Sequence, residues 1–141
     1  EEEKEILRRM SGADEIRVSP VVTPEEILAA RRTIAGLYLD EAVGEYILDL
    51  VTATREPKRF GLGELEPLIE FGASPRATIA LAVCSRAHAF LRGRAYVAPE
   101  DVKAIGADVL RHRVITTYEA EAEEVTPDDI VRRVFEAVRV P

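Results

Sequence analysis

Apolar residues recur every three or four positions along most of the chain, a spacing typical of the buried face of an α-helix. Three of these stretches begin at a proline followed by acidic residues, which favours helix initiation because proline fits the first helical position and acids complement the helix dipole. Together with a charged first segment, the pattern predicts helices over residues 1–10, 24–38, 40–54 and 74–91, and two more that begin at Pro99 and Thr126.

The predicted helix over 74–91 differs from the others because apolar or small residues surround most of its circumference. These residues include Ile79, Leu81, Val83, Ala87, Phe90 and Leu91. Since a helix that is apolar all round is normally buried, we expect this one to lie at the centre of the domain. Gly93 is expected to end it.

A β-branched run, Val114-Ile115-Thr116-Thr117-Tyr118, favours a short extended segment between the last two predicted helices. Residues 16–18 or 96–97 are the expected pairing partners of this segment. The predicted fold class is therefore all-α, a compact helical bundle with at most a trace of strand.

The connection over 55–73 is longer than usual for a structureless loop, and it contains prolines and glycines at several positions. Its apolar residues favour a segment that folds back on the bundle, with a short helix near 64–70. Two interpretations stay open, because such a loop either only packs or also forms a surface for a partner.

Composition limits the possible functions. The 141 residues are 47% hydrophobic, enough for one domain with a core, and the 19 basic and 26 acidic residues give a net charge of −7. The charges are interleaved, which disfavours a nucleic-acid partner. No apolar stretch approaches the roughly 20 residues of a membrane span, and the first residues do not resemble a signal peptide. The single Cys84 is interpreted as a small buried hydrophobe.

Catalytic motifs are absent from the sequence. There is no G-x-x-x-x-G-K-[ST] phosphate loop and no strand ending in paired acids, so ATP hydrolysis by this chain alone is excluded. His88 and His112 lie far apart without cysteine ligands at metal-binding spacing, and no metal is assigned. Ser74, which precedes a proline, is interpreted as a helix cap and not as a nucleophile.

Arg76 is the most informative residue for function. It is predicted in the first turn of the helix over 74–91, where its positive charge opposes the positive end of the helix dipole. An anion nearby would resolve that conflict, and backbone N–H groups at a helix start also favour an anion. The alternative is that Arg76 pairs with a surface acid such as Glu70, or points into water.

The string Gly72-Ala73-Ser74-Pro75-Arg76-Ala77-Thr78 resembles the second sensor motif of MoxR-family AAA+ proteins. Further motifs follow in that family's order: Phe90-Leu91-Arg92-Gly93-Arg94, Tyr96-Val97-Ala98-Pro99-Glu100-Asp101-Val102 and Val109-Leu110-Arg111-His112-Arg113-Val114. One departure is Ala98, where the family often has a hydroxyl cap. That loss costs about 1 kcal/mol and leaves the expected fold unchanged.

The resemblance implies a two-part ATPase whose nucleotide-binding core lies before Glu1. Residues 1–20 would then be a connecting helix and lead-in, and residues 21–141 the helical lid, together one lid domain. Arg76 would sense the terminal phosphate of ATP, with Ser74 and Ala77 supporting it at the helix start. The resemblance also implies magnesium bound by the missing core, hexameric rings with neighbouring subunits, and chaperone-like maturation of proteins, often von Willebrand A-domain partners. A cytoplasmic location is expected because the single cysteine fits a reducing compartment.

A second hypothesis needs no nucleotide. In it the chain is a stand-alone helical interaction module, and the connection over 55–73 and the apolar helix faces bind a protein partner. It predicts a partner-sized exposed apolar patch.

Overall fold

The computed structural model describes residues 2–11 and 19–141. Its α-helices are α1 (Glu2–Met10), α2 (Pro24–Ala35), α3 (Glu41–Ala53), α4 (Pro75–Leu91), α5 (Pro99–Leu110), α6 (Tyr118–Ala122) and α7 (Pro127–Ala137). Two short strands accompany them, β1 (Ile69–Phe71) and β2 (Ile115–Thr116). The chain divides into two compact units, residues 1–31 and residues 32–141.

In the first unit the helices are stabilised by hydrogen bonds between residues three or four positions apart. Glu5 in α1 accepts hydrogen bonds from Arg8 at 2.8 and 2.9 Å and from Arg9 at 2.7 Å. At the start of α2, Thr23 and Glu26 form the predicted reciprocal cap, with N–H to side-chain distances of 2.7 and 3.2 Å. These helix starts are confirmed because capping depends only on residues three apart.

The predicted helix over 24–38 is too long by three residues, since α2 ends at Ala35. Beyond it the backbone is extended at Tyr38, whose N–H donates to Ala95 O at 3.3 Å and whose carbonyl accepts from Val97 N at 2.9 Å. Because the Tyr38 backbone is bonded to a segment about 60 residues away, it cannot form the hydrogen bonds that would continue the helix.

The core of the second unit lies among α3, α4, α5 and α7. Asp40 caps α3 as predicted, accepting from Ala42 N at 2.9 Å. The largest fully buried aliphatic side chains are Ile47, Leu50, Leu65, Leu81, Leu110 and Ile130. Each removes its apolar surface from water, which stabilises the fold by about 1.5–3 kcal/mol per side chain.

α4 packs in the core against α3 and α5, as expected, but one of its apolar faces is not buried. Its buried positions are the small residues Ala77, Ser85 and Ala89 together with Leu81. On another face Ile79, Val83 and Leu91 are 65%, 53% and 80% exposed. The small buried residues let neighbouring helices approach one side of α4 closely, while the other side is left without a covering element within residues 32–141.

The expected pairing of the extended segment near residue 115 with residues 96–97 is wrong. β2 pairs antiparallel with β1, and Phe71 lies opposite Ile115. Of the two expected partners, residues 16–18 lie outside the described residues, and Tyr96 is bridged to Tyr38 instead. The segment after β2 forms the short helix α6, which the sequence pattern did not predict.

The connection over 55–73 folds back on the bundle, as expected. It contains two 3₁₀ helices, Pro57–Phe60 and Gly63–Leu68, and then β1. Leu62, Leu65 and Leu68 are buried in the core. The short helix expected near 64–70 is therefore present in 3₁₀ form. The all-helical fold class with a trace of strand is confirmed.

Among the described residues, no helix combines the length and the apolar character needed to cross a membrane.

Candidate functional site

The start of α4 places the residues of the predicted sensing site. Ser74 occupies the N-cap position with extended backbone, and Pro75 takes the first helical position. The Ser74 side chain, however, makes no capping hydrogen bond, so the expected hydroxyl cap is wrong. Its carbonyl instead accepts from Ala77 N at 2.8 Å. Because Pro75 has no N–H and that of Ala77 is engaged, the anion-binding capacity of this helix end rests mainly on Arg76.

Arg76 is exposed, whereas Ala77 is fully buried and anchors the first turn of α4 in the core. Among residues 2–11 and 19–141, no hydrogen bond or ion pair engages the Arg76 side chain, and the suggested pairing with Glu70 is not formed. The first turn of α4 also contains no acidic residue. The guanidinium therefore faces solvent with its donors available.

Residues 72 and 73, just before this turn, are held against the end of α3. Ala73 N donates to the hydroxyl of Thr54 at 2.9 Å, and the Ala73 carbonyl accepts from the Arg55 guanidinium at 3.1 Å. A Cβ on Gly72 would lie 2.2 Å from the Thr54 carbonyl oxygen, a distance that only glycine permits. We call this set of contacts the α3–α4 clamp.

The exposed apolar face of α4 continues from Arg76. Ile79 lies three residues after Arg76 and Val83 four residues after Ile79, so the three side chains lie on the same face of the helix. Leu91 extends that face towards the far end of α4. We call Ile79, Val83 and Leu91 the α4 stripe, an apolar surface with a free guanidinium at one end.

Comparison with known proteins identifies the family of the chain. The model of the AAA lid domain family matches residues 64–134, which include the clamped residues, Arg76 and the whole of α4. The chain belongs to the AAA lid domain family.

Its relatives place the lid within the MoxR group. It is 36% identical over 141 residues to Chaperone MoxR1 of Mycobacterium tuberculosis, covering 100% of this chain and 37% of that protein. It is 33% identical over 108 residues to Protein MoxR of Methylorubrum extorquens, covering 72% of this chain and 31% of that protein. In structure it is similar to a crystallised Cytophaga hutchinsonii protein assigned as an ATPase, with a TM-score of 0.93, 37% identity, and coverage of 99% of this chain and 42% of that one.

The lid chain therefore spans well under half the length of these relatives. The resemblance to MoxR-family lids expected from the motifs is confirmed, as is the lid fold.

At the opposite end of α4 the lid contains a buried charge network that the sequence did not single out. Asp101 in α5 is fully buried and accepts from Arg94 at 2.5 and 2.7 Å and from Ala98 N at 2.8 Å. It also lies 2.6 Å from His88 Nδ1. The sequence signal was an acid three residues after a cap position, which indicates only a helix start.

The electrostatics of Asp101 follow from these contacts. Burial acts to raise the pKa of its carboxyl group, but the hydrogen bonds from Arg94, Ala98 N–H and His88 outweigh burial and lower the pKa to about 2. The carboxylate is therefore ionised at neutral pH. It accepts the N–H of the cap residue Ala98 itself, whereas the Asp101 N–H that a hydroxyl at position 98 would accept donates to the Ala98 carbonyl at 2.9 Å.

Within the part of the lid that the structure describes, no group of three or more His, Cys, Asp or Glu residues is arranged to hold a metal ion.

Proposed function

We propose that this lid senses bound nucleotide for a MoxR-type AAA+ ATPase, with Arg76 as the residue that contacts the terminal phosphate of ATP. The observation that carries the proposal is the free, exposed Arg76 guanidinium at the end of the uncovered α4 stripe. A cation at a helix start forgoes about 0.3–1 kcal/mol that an acid would supply there, and a phosphate group would resolve the conflict. Arginine also suits phosphate through paired N–H donors.

The α4 stripe supports the second part of the proposal, the way in which Arg76 reaches the nucleotide. Exposed aliphatic side chains on one helix face favour burial against another protein surface. In this proposal that surface belongs to an ATPase core, either in the same subunit or in a neighbouring one. Docking of the stripe would bring Arg76 to the phosphates, and loss of the terminal phosphate would weaken the docked state.

The finer family expectations belong to the same proposal. The nucleotide is ATP with magnesium, and the magnesium is held by core residues and not by the lid. The parent protein forms a hexameric ring in the cytoplasm and matures other proteins, with von Willebrand A-domain proteins as the expected partners. The similarity to Chaperone MoxR1 of Mycobacterium tuberculosis supports the chaperone-like part.

The test is Arg76→Ala in the full-length ATPase. We expect kcat for ATP hydrolysis to fall roughly 10²-fold, as is typical when one donor to transition-state charge is removed. Arg92→Ala is the matched control, because Arg92 is also an exposed arginine but lies at the opposite end of α4. We expect it to leave turnover within about twofold of the parent. Turnover that is equally unchanged in Arg76→Ala would reject the sensing role.

The α4 stripe also fits the second hypothesis, a helical module that binds a protein partner without reading nucleotide. The two functions differ in what Arg76 does. A stand-alone interaction module predicts that Ile79→Gln abolishes partner binding while Arg76→Ala changes neither binding nor its dependence on ATP.

A further inference from the structure

We infer that Thr54 and Arg55 are positioning residues for Arg76, acting through the α3–α4 clamp. The inference rests on the proposed sensing role of Arg76. It assigns to two residues at the end of α3 a part in nucleotide sensing, although they lie about 20 positions earlier in the chain.

Thr54 forms the buried half of the clamp. Its side chain is fully buried, and its hydroxyl donates to Val51 O at 2.7 Å while it accepts from Ala73 N at 2.9 Å. Both bonds together define the direction of the hydroxyl, because its one hydrogen is used within α3 and a lone pair is left for Ala73. Residue 73 is thus tied directly to the last turn of α3.

Arg55 forms the other half of the clamp. Its guanidinium donates to the carbonyl of Ala73 at 3.1 Å, so the N–H and the carbonyl of this one residue are both held by consecutive residues of the α3 end. Gly72 permits the approach, since any side chain there would meet the Thr54 carbonyl at 2.2 Å. Two hydrogen bonds therefore hold Ala73, and the glycine before it permits the close approach to the end of α3.

The clamp reaches Arg76 through a short and stiff path. Only Ser74 and Pro75 separate Ala73 from Arg76, and the proline ring restricts the backbone between them. Ala77 is buried on the far side of Arg76. With both flanks anchored, the Arg76 backbone takes its position from the end of α3, and a shift of Ala73 would displace the guanidinium from a bound phosphate.

The test uses the full-length ATPase with two variants of Thr54. Thr54→Val keeps the shape but removes the hydroxyl, whereas Thr54→Ser keeps the hydroxyl and is the matched control. We expect Thr54→Val to lower kcat about tenfold, since small misplacements of a catalytic group are costly. Thr54→Ser should remain within about twofold of the parent.

A second background separates positioning from a general structural defect. When Arg76 is already alanine, Thr54→Val should lower kcat no further, because the residue on which it acts is gone. Hydrogen exchange should detect loss of protection at the Ala73 amide in Thr54→Val and its return in Thr54→Ser. If Thr54→Val fails to fold, Arg55→Gln replaces it, because Arg55 lies on the exposed side of the clamp. We expect Arg55→Gln likewise to lower kcat only when Arg76 is present.

The outcomes are distinguishable from failure of the sensing proposal. Normal turnover in Arg76→Ala rejects the sensing role and, with it, this inference. Reduced turnover in Arg76→Ala, combined with equal losses from the clamp variant in both backgrounds, rejects the positioning role alone. Unchanged turnover in a clamp variant whose Ala73 amide has lost its protection would also overturn it.

Discussion

At the scale of single residues, Asp101 connects three parts of the lid through one carboxylate. It accepts hydrogen bonds from the Arg94 side chain and the Ala98 N–H and contacts His88, and it is fully buried. A buried charge is tolerated only when it is paired and hydrogen-bonded. The end of α4 and the start of α5 are therefore joined by polar contacts that fail together if the carboxylate is lost.

Substitution of Asp101 by asparagine should lower the free energy of unfolding of the 141-residue chain by about 3 kcal/mol, because it leaves the partly buried Arg94 without its counter-charge. Denaturant unfolding measures the change. Asp108→Asn is the control, since that carboxylate is 77% exposed in its pair with Arg111 and should change stability by about 1 kcal/mol or less. Equal effects of the two substitutions would contradict the structural role of the buried network.

The same residue predicts a dependence of stability on pH. The pKa of Asp101 is about 2 in the folded lid, below its ordinary value of 3.8, so the unfolded chain binds the proton first as the pH falls. Its contribution, about 2 kcal/mol, is therefore complete above about pH 5 and is lost as the pH falls through 2. Between pH 6 and pH 2, the free energy of unfolding should depend less on pH in Asp101→Asn than in the parent. The same pH dependence in both proteins would contradict the assignment.

At the scale of elements, close helix contacts depend on where small residues lie. Gly106 in α5 faces Phe135 in α7, and a Cβ on this glycine would lie 2.1 Å from the phenyl ring. Gly44 in α3 has no atom within 4 Å of the same hypothetical position. Close packing against Phe135 therefore requires a glycine at position 106, whereas the space around position 44 would accept a side chain. Helix propensity alone does not distinguish these two positions.

Alanine at the two positions should therefore change stability in opposite directions. Gly106→Ala should lower the free energy of unfolding by about 1–3 kcal/mol through overpacking against Phe135. Gly44→Ala should raise it by about 0.5–1 kcal/mol, because alanine is the better helix former where space is free. Thermal or denaturant unfolding of both variants measures the pair, and stabilisation by Gly106→Ala would show that α5 and α7 are not packed as described.

At the scale of the whole molecule, the lid leaves an apolar surface in line with Arg76. The side chains of the α4 stripe bury little apolar surface and so contribute little to the stability of the fold. α4 is held in place by its buried face instead. A residue of the stripe can therefore contribute to docking of the lid without contributing to its folding stability.

Ile79→Gln tests whether the stripe contributes to docking and not to folding stability. In the isolated chain it should change the free energy of unfolding by no more than about 0.5 kcal/mol, as expected for an exposed position. In the full-length ATPase we expect it to reduce turnover through weaker docking of the lid. Tyr118→Gln, at an apolar residue 91% exposed on α6 and outside the stripe, is the control and should leave turnover unchanged. Equal turnover in both variants would contradict docking through the stripe.

Much of the fold and part of the site could be predicted from local patterns. The starts of α2, α3 and α7 followed from caps and prolines, and Arg76 followed from a motif at the start of α4. The partner of β2 could not be predicted, because it lies about 45 residues away and forms only a two-strand pair. Ser74 had the right position for a cap, yet its hydroxyl makes no cap bond, a detail of geometry that residue type does not determine.

Helix starts depend on interactions between residues a few positions apart, and the fold class and the family follow from the hydrophobic pattern and the order of short motifs. The amino-acid sequence by itself therefore determines them. Which face of α4 stays uncovered, what surrounds Asp101, and how residues 54–55 hold residues 72–73 depend on distances between segments far apart in the chain. Those distances exist only once the helices have packed, so only the tertiary structure decided that Arg76 has no partner among the described residues and that Ala73 is bonded to the end of α3.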